Sequence, residues 1–194
     1  MSLLYFPAQA SSSSAGGALT FISKSTASSS ASLEFTSGLD STYQAYKFVF
    51  DGIKASANTT FFGWQASTDG GTTYGVNVQS AIFENWNGST TGFTNNTSND
   101  NSDDTNQVLM TGYVGSASAN NAGGELNFYT PSSTSLYKMF WSVTSFFDDW
   151  VDGANQWRAG GWLKESSAVD AVKFYFSSGN ITSGNITLYG LKQS

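Results

Sequence analysis

From about residue 17 onward the chain reads as short runs in which apolar residues alternate with polar ones, the period of a half-buried strand. Leu19 and Phe21 alternate with Thr20, Leu33 and Phe35 flank Glu34, and Tyr46, Phe48 and Phe50 share one face while Lys47 and Asp51 take the other. Phe62 and Trp64 run into Asp69-Gly70-Gly71, from which Tyr74, Val76, Val78 and Ile82 return. Leu126 and Phe128 follow, then Tyr137, Met139, Trp141 and Val143, then Trp157 to Leu163. Val172 to Phe176 leads through Gly179-Asn180 into a last alternating run with Ile186 and Leu188, so a closing β-hairpin is expected. About ten short strands with Gly, Ser and Asn turns predict an all-β chain folded as an antiparallel β-sandwich. Its predicted core holds Phe48, Phe50, Trp141, Val143, Phe174, Phe176, Ile186 and Leu188. Helical spacing is scarce, with room for a turn or two at Asn106 to Tyr113 and at Phe146 to Asn155.

Two segments depart from this pattern. Residues 1–16 read as an N-terminal arm, in which the apolar patch Leu3-Leu4-Tyr5-Phe6 is joined by a serine-rich tether to the sandwich at 17–194. An apolar tip on a tether suits docking on a neighbouring subunit, and a first strand or frayed tail is the alternative. Residues 87–106 form the longest polar stretch and read as an exposed loop at one end of the sandwich.

Composition narrows the chemistry. The 194 residues suit one domain, and 15 Phe, 9 Tyr and 6 Trp supply ample core, at roughly 150–250 Å² buried per ring. There is no cysteine and no histidine, which removes disulfides, thiolate sites, the Ser-His-Asp triad and the His-based zinc sites. Charged residues make up 11% and the net charge is −6, with no basic cluster, so nucleic acid and anionic membrane are not expected partners. The start of the chain lacks the cationic, longer apolar pattern of a signal peptide, and synthesis in the cytoplasm is expected.

Three side-chain groups carry possible chemistry. Asp100, Asp103 and Asp104, or Asp148, Asp149 and Asp152 with Asn155, offer oxygen donors for calcium, but neither follows an EF-hand spacing, and solvated loops are the preferred reading, with no cofactor. Glu34, Glu84, Glu125 and Glu165 stand isolated, so a glycosidase pair would have to arise through the fold, and no catalytic residue is assigned. Trp86, Trp150, Trp157 and Trp162 lie near strand ends where rings can stack on sugars; core packing is the preferred reading for the tryptophans, above all for Trp64 and Trp141.

The C-terminal pattern F-x-F-S-S-G-N-I-x-S-G-x-I-x-L-Y-G, from Phe174 to Gly190, resembles the terminal signature of a family of small virion proteins of tailed bacteriophages and their prophage relatives. Ser67-Thr68-Asp69-Gly70-Gly71-Thr72-Thr73-Tyr74 resembles the S-x-D-G-G-x-x-Y hairpin of the same proteins, and Gly160-Gly161-Trp162 their glycine-aromatic strand. The resemblance implies a jelly-roll sandwich on the outside of a virus particle, and no enzyme. The expected function is that of a capsid cement or decoration protein, made in the host cytoplasm and bound to the major capsid protein or other virion proteins, with a homo-oligomer expected and Leu3, Leu4, Tyr5 and Phe6 as the attachment residues. The alternative is a tail-fibre or receptor-binding module that recognises host glycan.

Overall fold

The computed structural model describes residues 19–192; the arm at 1–16, with Leu3, Leu4, Tyr5 and Phe6, lies outside the described residues. Thirteen strands follow one another: β1 (Leu19–Thr26), β2 (Leu33–Phe35), β3 (Ala45–Ala55), β4 (Phe62–Ser67), β5 (Val78–Asn87), β6 (Thr91–Asn95), β7 (Ser102–Asp104), β8 (Val108–Leu109), β9 (Ala122–Tyr129), β10 (Lys138–Asp148), β11 (Gly153–Leu163), β12 (Ala171–Phe176) and β13 (Ile181–Leu191). The described residues contain no helix, and all strand pairs are antiparallel.

The strands form two sheets. The larger has nine strands in the order β1-β13-β3-β9-β10-β11-β5-β6, with β7 also on β5, and the smaller has four in the order β2-β12-β4-β8. They face each other across interleaved aromatic rings. Phe35, Phe62 and Phe174 of the small sheet meet Phe48 and Phe50 of the large one at 5.1–5.7 Å between centroids, and Trp64 meets Phe128 and Phe140 at 5.7 and 5.0 Å. Edge-on geometry dominates, as the ring quadrupole favours. The sandwich is as the alternation predicts, and Phe48, Phe50, Phe174, Phe176, Ile186 and Leu188 are buried.

Several expectations are corrected. Trp141 and Val143 do not belong to the core: on β10 the inward row is Lys138, Phe140, Ser142, Thr144, Phe146 and Asp148, and Trp141 is 40% exposed. The chain does not close on a hairpin, because β12 pairs with β2 and β4 while β13 crosses to the other sheet and pairs with β1 and β3. Asp69-Gly70-Gly71 likewise joins the two sheets, since β4 pairs with β12 and β8, and β5 with β11, β6 and β7. Residues 87–106 are not a free loop; they contain β6 and β7, which extend β5 through backbone hydrogen bonds that need no apolar side chains. Neither Asn106 to Tyr113 nor Phe146 to Asn155 holds a helical turn.

Two local features explain how these strands keep register. On β3 the inward positions run Tyr46, Phe48, Phe50 and then Ile53 and Ala55, because a bulge inserts a residue at Gly52 (φ +61°). The neighbouring bulge on β13 places Gly184 (φ +118°) against it, where a Cβ would lie 2.6 Å from the Gly52 carbonyl oxygen. At the opposite end Lys138 is fully buried, and its Nζ donates to the carbonyls of Ser133, Leu136, Glu165 and Ser166 at 2.7–3.0 Å. Burial pushes the Lys138 ammonium below its usual pKa, against the pull of Glu165.

Candidate functional site

The inner face of the large sheet is only partly covered, because the small sheet has four strands against nine and its last, β8, is two residues long. Under β5, β6 and β11 the cover comes from irregular segments around 96–101 and 110–121, and a cleft of about 390 Å³ opens there. Its floor is made by cross-strand neighbours: Glu84 on β5 lies opposite Trp157 on β11, and Trp86 opposite Asn155. Trp86 lies down because Gly92, its partner on β6, has no side chain; a Cβ there would sit 2.3 Å from the indole ring.

The walls come from two turns and a crossing segment. Val114 bridges to Thr60 on one side and Asp148 on the other, which brings the rings of Phe61, Tyr113 and Trp150 into a row with centroids 4.8 and 5.9 Å apart. Trp150 stands at the tip of the β10–β11 turn and is 76% exposed. Asp148 builds that turn: its Oδ1 accepts from the Trp150 and Val151 amides at 2.8 and 3.3 Å, and its Oδ2 from Asn155 Nδ2 at 2.9 Å. The turn is tied to the β5–β6 turn by Ser89 N donating to Val151 O at 2.7 Å, which joins the two tryptophan-bearing hairpins.

Glu84 and Asp148 thus meet in one cleft, a pairing of acids that the sequence alone cannot show. Burial pushes the Glu84 carboxyl above its ordinary pKa and the Asp148 charge adds to the rise, while polar groups of Asn96, Trp157 and Asn155 oppose it. Asp148 is committed to its turn, with both oxygens engaged and 4% exposure. Glu84 is thus the carboxyl of the cleft that is not tied into a turn. Two buried polar atoms here make no hydrogen bond of ordinary geometry: Asn155 Oδ1, and Trp157 Nε1, which faces the Glu84 carboxylate. Trp157, like Trp64, is core on its other flank, edge-on to Phe146 at 6.2 Å.

Most of the acidic groups considered for calcium are engaged by partners within the fold. Asp100 accepts from Ile82 N, Asp104 from Asn101 Nδ2 and Asn106 N, and Asp103 pairs with Lys164 at 2.8 Å. Among the described residues no three acids, histidines or cysteines are grouped to hold a metal ion.

A second surface covers the opposite side of the same large sheet. There Leu19 lies beside Leu191, Phe21 beside Tyr189, and Met139 beside Trp162, while Trp141 Nε1 donates to Tyr129 Oη at 2.9 Å. At the far edge Phe83 and Phe93 stack with centroids 6.3 Å apart. Phe21, Phe83, Phe93, Met139 and Trp141 are each 40–72% exposed. Within this band Lys47 and Glu125 pair at 2.9 Å, and Arg158 stands exposed between Val143 and Phe83, donating to Gln156 Oε1 at 3.3 Å.

No family model, no curated protein and no solved structure matches the chain. Function therefore rests on these two surfaces.

Proposed function

We propose that this chain is a structural, non-catalytic protein of a tailed-phage particle, a cement or decoration protein that adheres to the major capsid protein through the outer face of its large sheet. The observation that carries the reading is the aromatic band running from Phe21 to Phe93 across that face. Monomeric soluble proteins rarely expose contiguous apolar patches beyond a few hundred Å². Eight strands side by side, at about 4.8 Å each, and three side-chain rows make a field of about 34 by 20 Å, close to the ~800 Å² per partner of a stable interface. The absence of His and Cys, and the commitment of Asp148 to its turn, support a role without chemistry. The repeated crossing of the chain between sheets, from β1 through β5 and again at β8 and β12, supports the jelly-roll assignment. Residues 1–16 then serve as a second attachment through Leu3, Leu4, Tyr5 and Phe6.

The test is localisation by cryo-EM on purified particles, together with rebinding to shells that lack the chain. The double variant Met139→Asp, Trp141→Asp is expected to stay folded, with a lowered melting temperature, and to lose rebinding at least tenfold, and deletion of residues 1–16 reports the arm separately. Absence from purified particles, or rebinding of the double variant at wild-type occupancy, refutes the reading. Depolymerisation of a host polysaccharide abolished by Glu84→Gln would overturn its non-catalytic part.

A further inference from the structure

We infer that the inner cleft is a binding site for a neutral oligosaccharide, on the side of the large sheet away from the proposed docking face. The inference goes beyond the structural role and does not depend on it. Its starting point is the pair of buried atoms without an ordinary hydrogen bond. Asn155 gives its Nδ2 to a carboxylate, which can only accept, so the amide orientation is set and Oδ1 is left as a free acceptor. Trp157 Nε1 makes no hydrogen bond of ordinary geometry; the acceptor beside it is the Glu84 carboxylate, whose charged form it favours, and a ligand hydroxyl can bridge the two. Both residues are at least 95% buried, both line the cleft, and they lie two apart on one face of β11, about 6.8 Å along the strand. Leaving such groups unsatisfied is costly. A hydroxyl both donates and accepts, so a ligand carrying several hydroxyls answers both with one kind of group.

The remaining lining selects the class further. Phe61, Tyr113 and Trp150 form a wall of ring faces, and Trp86 lies against Gly92 beneath, surfaces suited to the C–H faces of pyranose rings. Glu84, Asn96 and Asn99 add polar groups able to bond hydroxyls. No Lys or Arg lines the cleft and two acids do, which disfavours sialylated or uronic ligands. The volume of about 390 Å³ lies in the range of small-molecule sites, roughly 300–1,000 Å³. Next to it a second depression of about 400 Å³ shares Ser98 and Asn99 and is lined by Asp100, Asn101, Asn106, Gln107 and Tyr175. The two together make a path for several sugar units rather than a pocket for one.

The experiment is an array of neutral and acidic oligosaccharides probed with the full chain, followed by titration of the strongest neutral ligand by calorimetry and by NMR of the tryptophan indole N–H signals. Expected are a neutral ligand that shifts the Trp157 and Trp150 indole resonances, a loss of affinity of roughly tenfold in Trp150→Ala, and a loss of roughly three- to tenfold in Trp157→Phe, which keeps the ring and removes the N–H. Trp150 is on an exposed tip, so its variant stays folded even if Trp157→Phe does not. No neutral signal on the array, binding unchanged in Trp150→Ala, or equal binding of acidic and neutral ligands overturns the inference. Since Trp150→Ala leaves the outer face intact and Met139→Asp, Trp141→Asp leaves the cleft intact, the failure of either reading is seen without the other.

Discussion

Removing the ring of Phe174 tests how the two sheets are held together. Phe174 is fully buried on β12, the strand between β2 and β4 in the small sheet, and its ring lies 5.1 Å from Phe48, 5.2 Å from Phe50, 6.1 Å from Phe35 and 6.2 Å from Phe62. Two of those neighbours belong to the opposite sheet, so the residue joins layers as well as strands. Phe→Ala in a core costs about 3–5 kcal/mol through lost transfer energy and the cavity left behind. Four ring pairs, each contributing about 0.5–1.5 kcal/mol beyond area, place Phe174→Ala at the upper end, about 5 kcal/mol. That is a large share of the roughly 5–15 kcal/mol that separates folded from unfolded domains, and at about 2–4 °C per kcal/mol it lowers the melting temperature by roughly 10–20 °C. Urea titration read by the fluorescence of buried Trp64 and Trp157 measures it, with the midpoint falling at an unchanged slope. Phe93→Ala, at a 72% exposed position, is the control and changes stability by no more than about 0.5 kcal/mol. If Phe174→Ala costs less than about 1 kcal/mol, the sheets do not close on this ring and the packing described is wrong.

Two further perturbations probe polar groups. Lys138→Met keeps the stem but removes the donor to four carbonyls, and it is expected to cost about 2–4 kcal/mol and to expose residues 131–137 to proteolysis; an unchanged urea midpoint would show those carbonyls content without it. Asp69 accepts from Thr73 and from Ser67 Oγ, which holds its carboxyl at about 2, against 3.8 for the free group. Because the folded value is the lower one, its stabilisation is fully present above about pH 4 and is lost as pH falls through about 2. Asp69→Asn therefore flattens the acid limb of melting temperature against pH between about 2 and 4, and superimposable profiles would refute the assignment.

What the sequence made legible were features set by near neighbours. Alternation on β3 and β12 gave the right inward residues, and glycines marked real turns, such as Gly179 with φ +75°. Pairing was another matter, because a turn signal says that the chain bends and not which sheet receives it. Ser177 to Asn180 bends β12 into a strand of the other sheet, where β13 finds β1 and β3, more than a hundred residues earlier in the chain. The cleft was hidden for the same reason: Glu84 and Trp157, and Trp86 and Asn155, become neighbours only through the register of β5 with β11, and nothing in their spacing announces it. Trp86, Trp150 and Trp157 were legible as candidates, their convergence was not.

The misread phase of β10 has a more specific cause. Alternation locates the core only when one face of a strand is polar, and β10 is apolar on the wrong one. Tyr137, Met139, Trp141 and Val143 form the more hydrophobic row, yet they point outward, while the inward row carries Lys138, Ser142, Thr144 and Asp148. Three of those inward polar groups are matched: Lys138 by four carbonyls, Thr144 Oγ1 by the carbonyl of Met110, Asp148 by amides of its own turn and by Asn155. A buried polar group with partners costs little, so nothing forces the strand to turn its greasier face inward. The outer row, in contrast, stays in contact with water in the isolated chain, where burying it would be worth about 25 cal/mol per Å². The residues that mislead a one-faced reading of β10 are thus the ones with most to gain from a partner, and the error of phase and the proposed docking face have one physical origin: a strand whose outward row is the more apolar one.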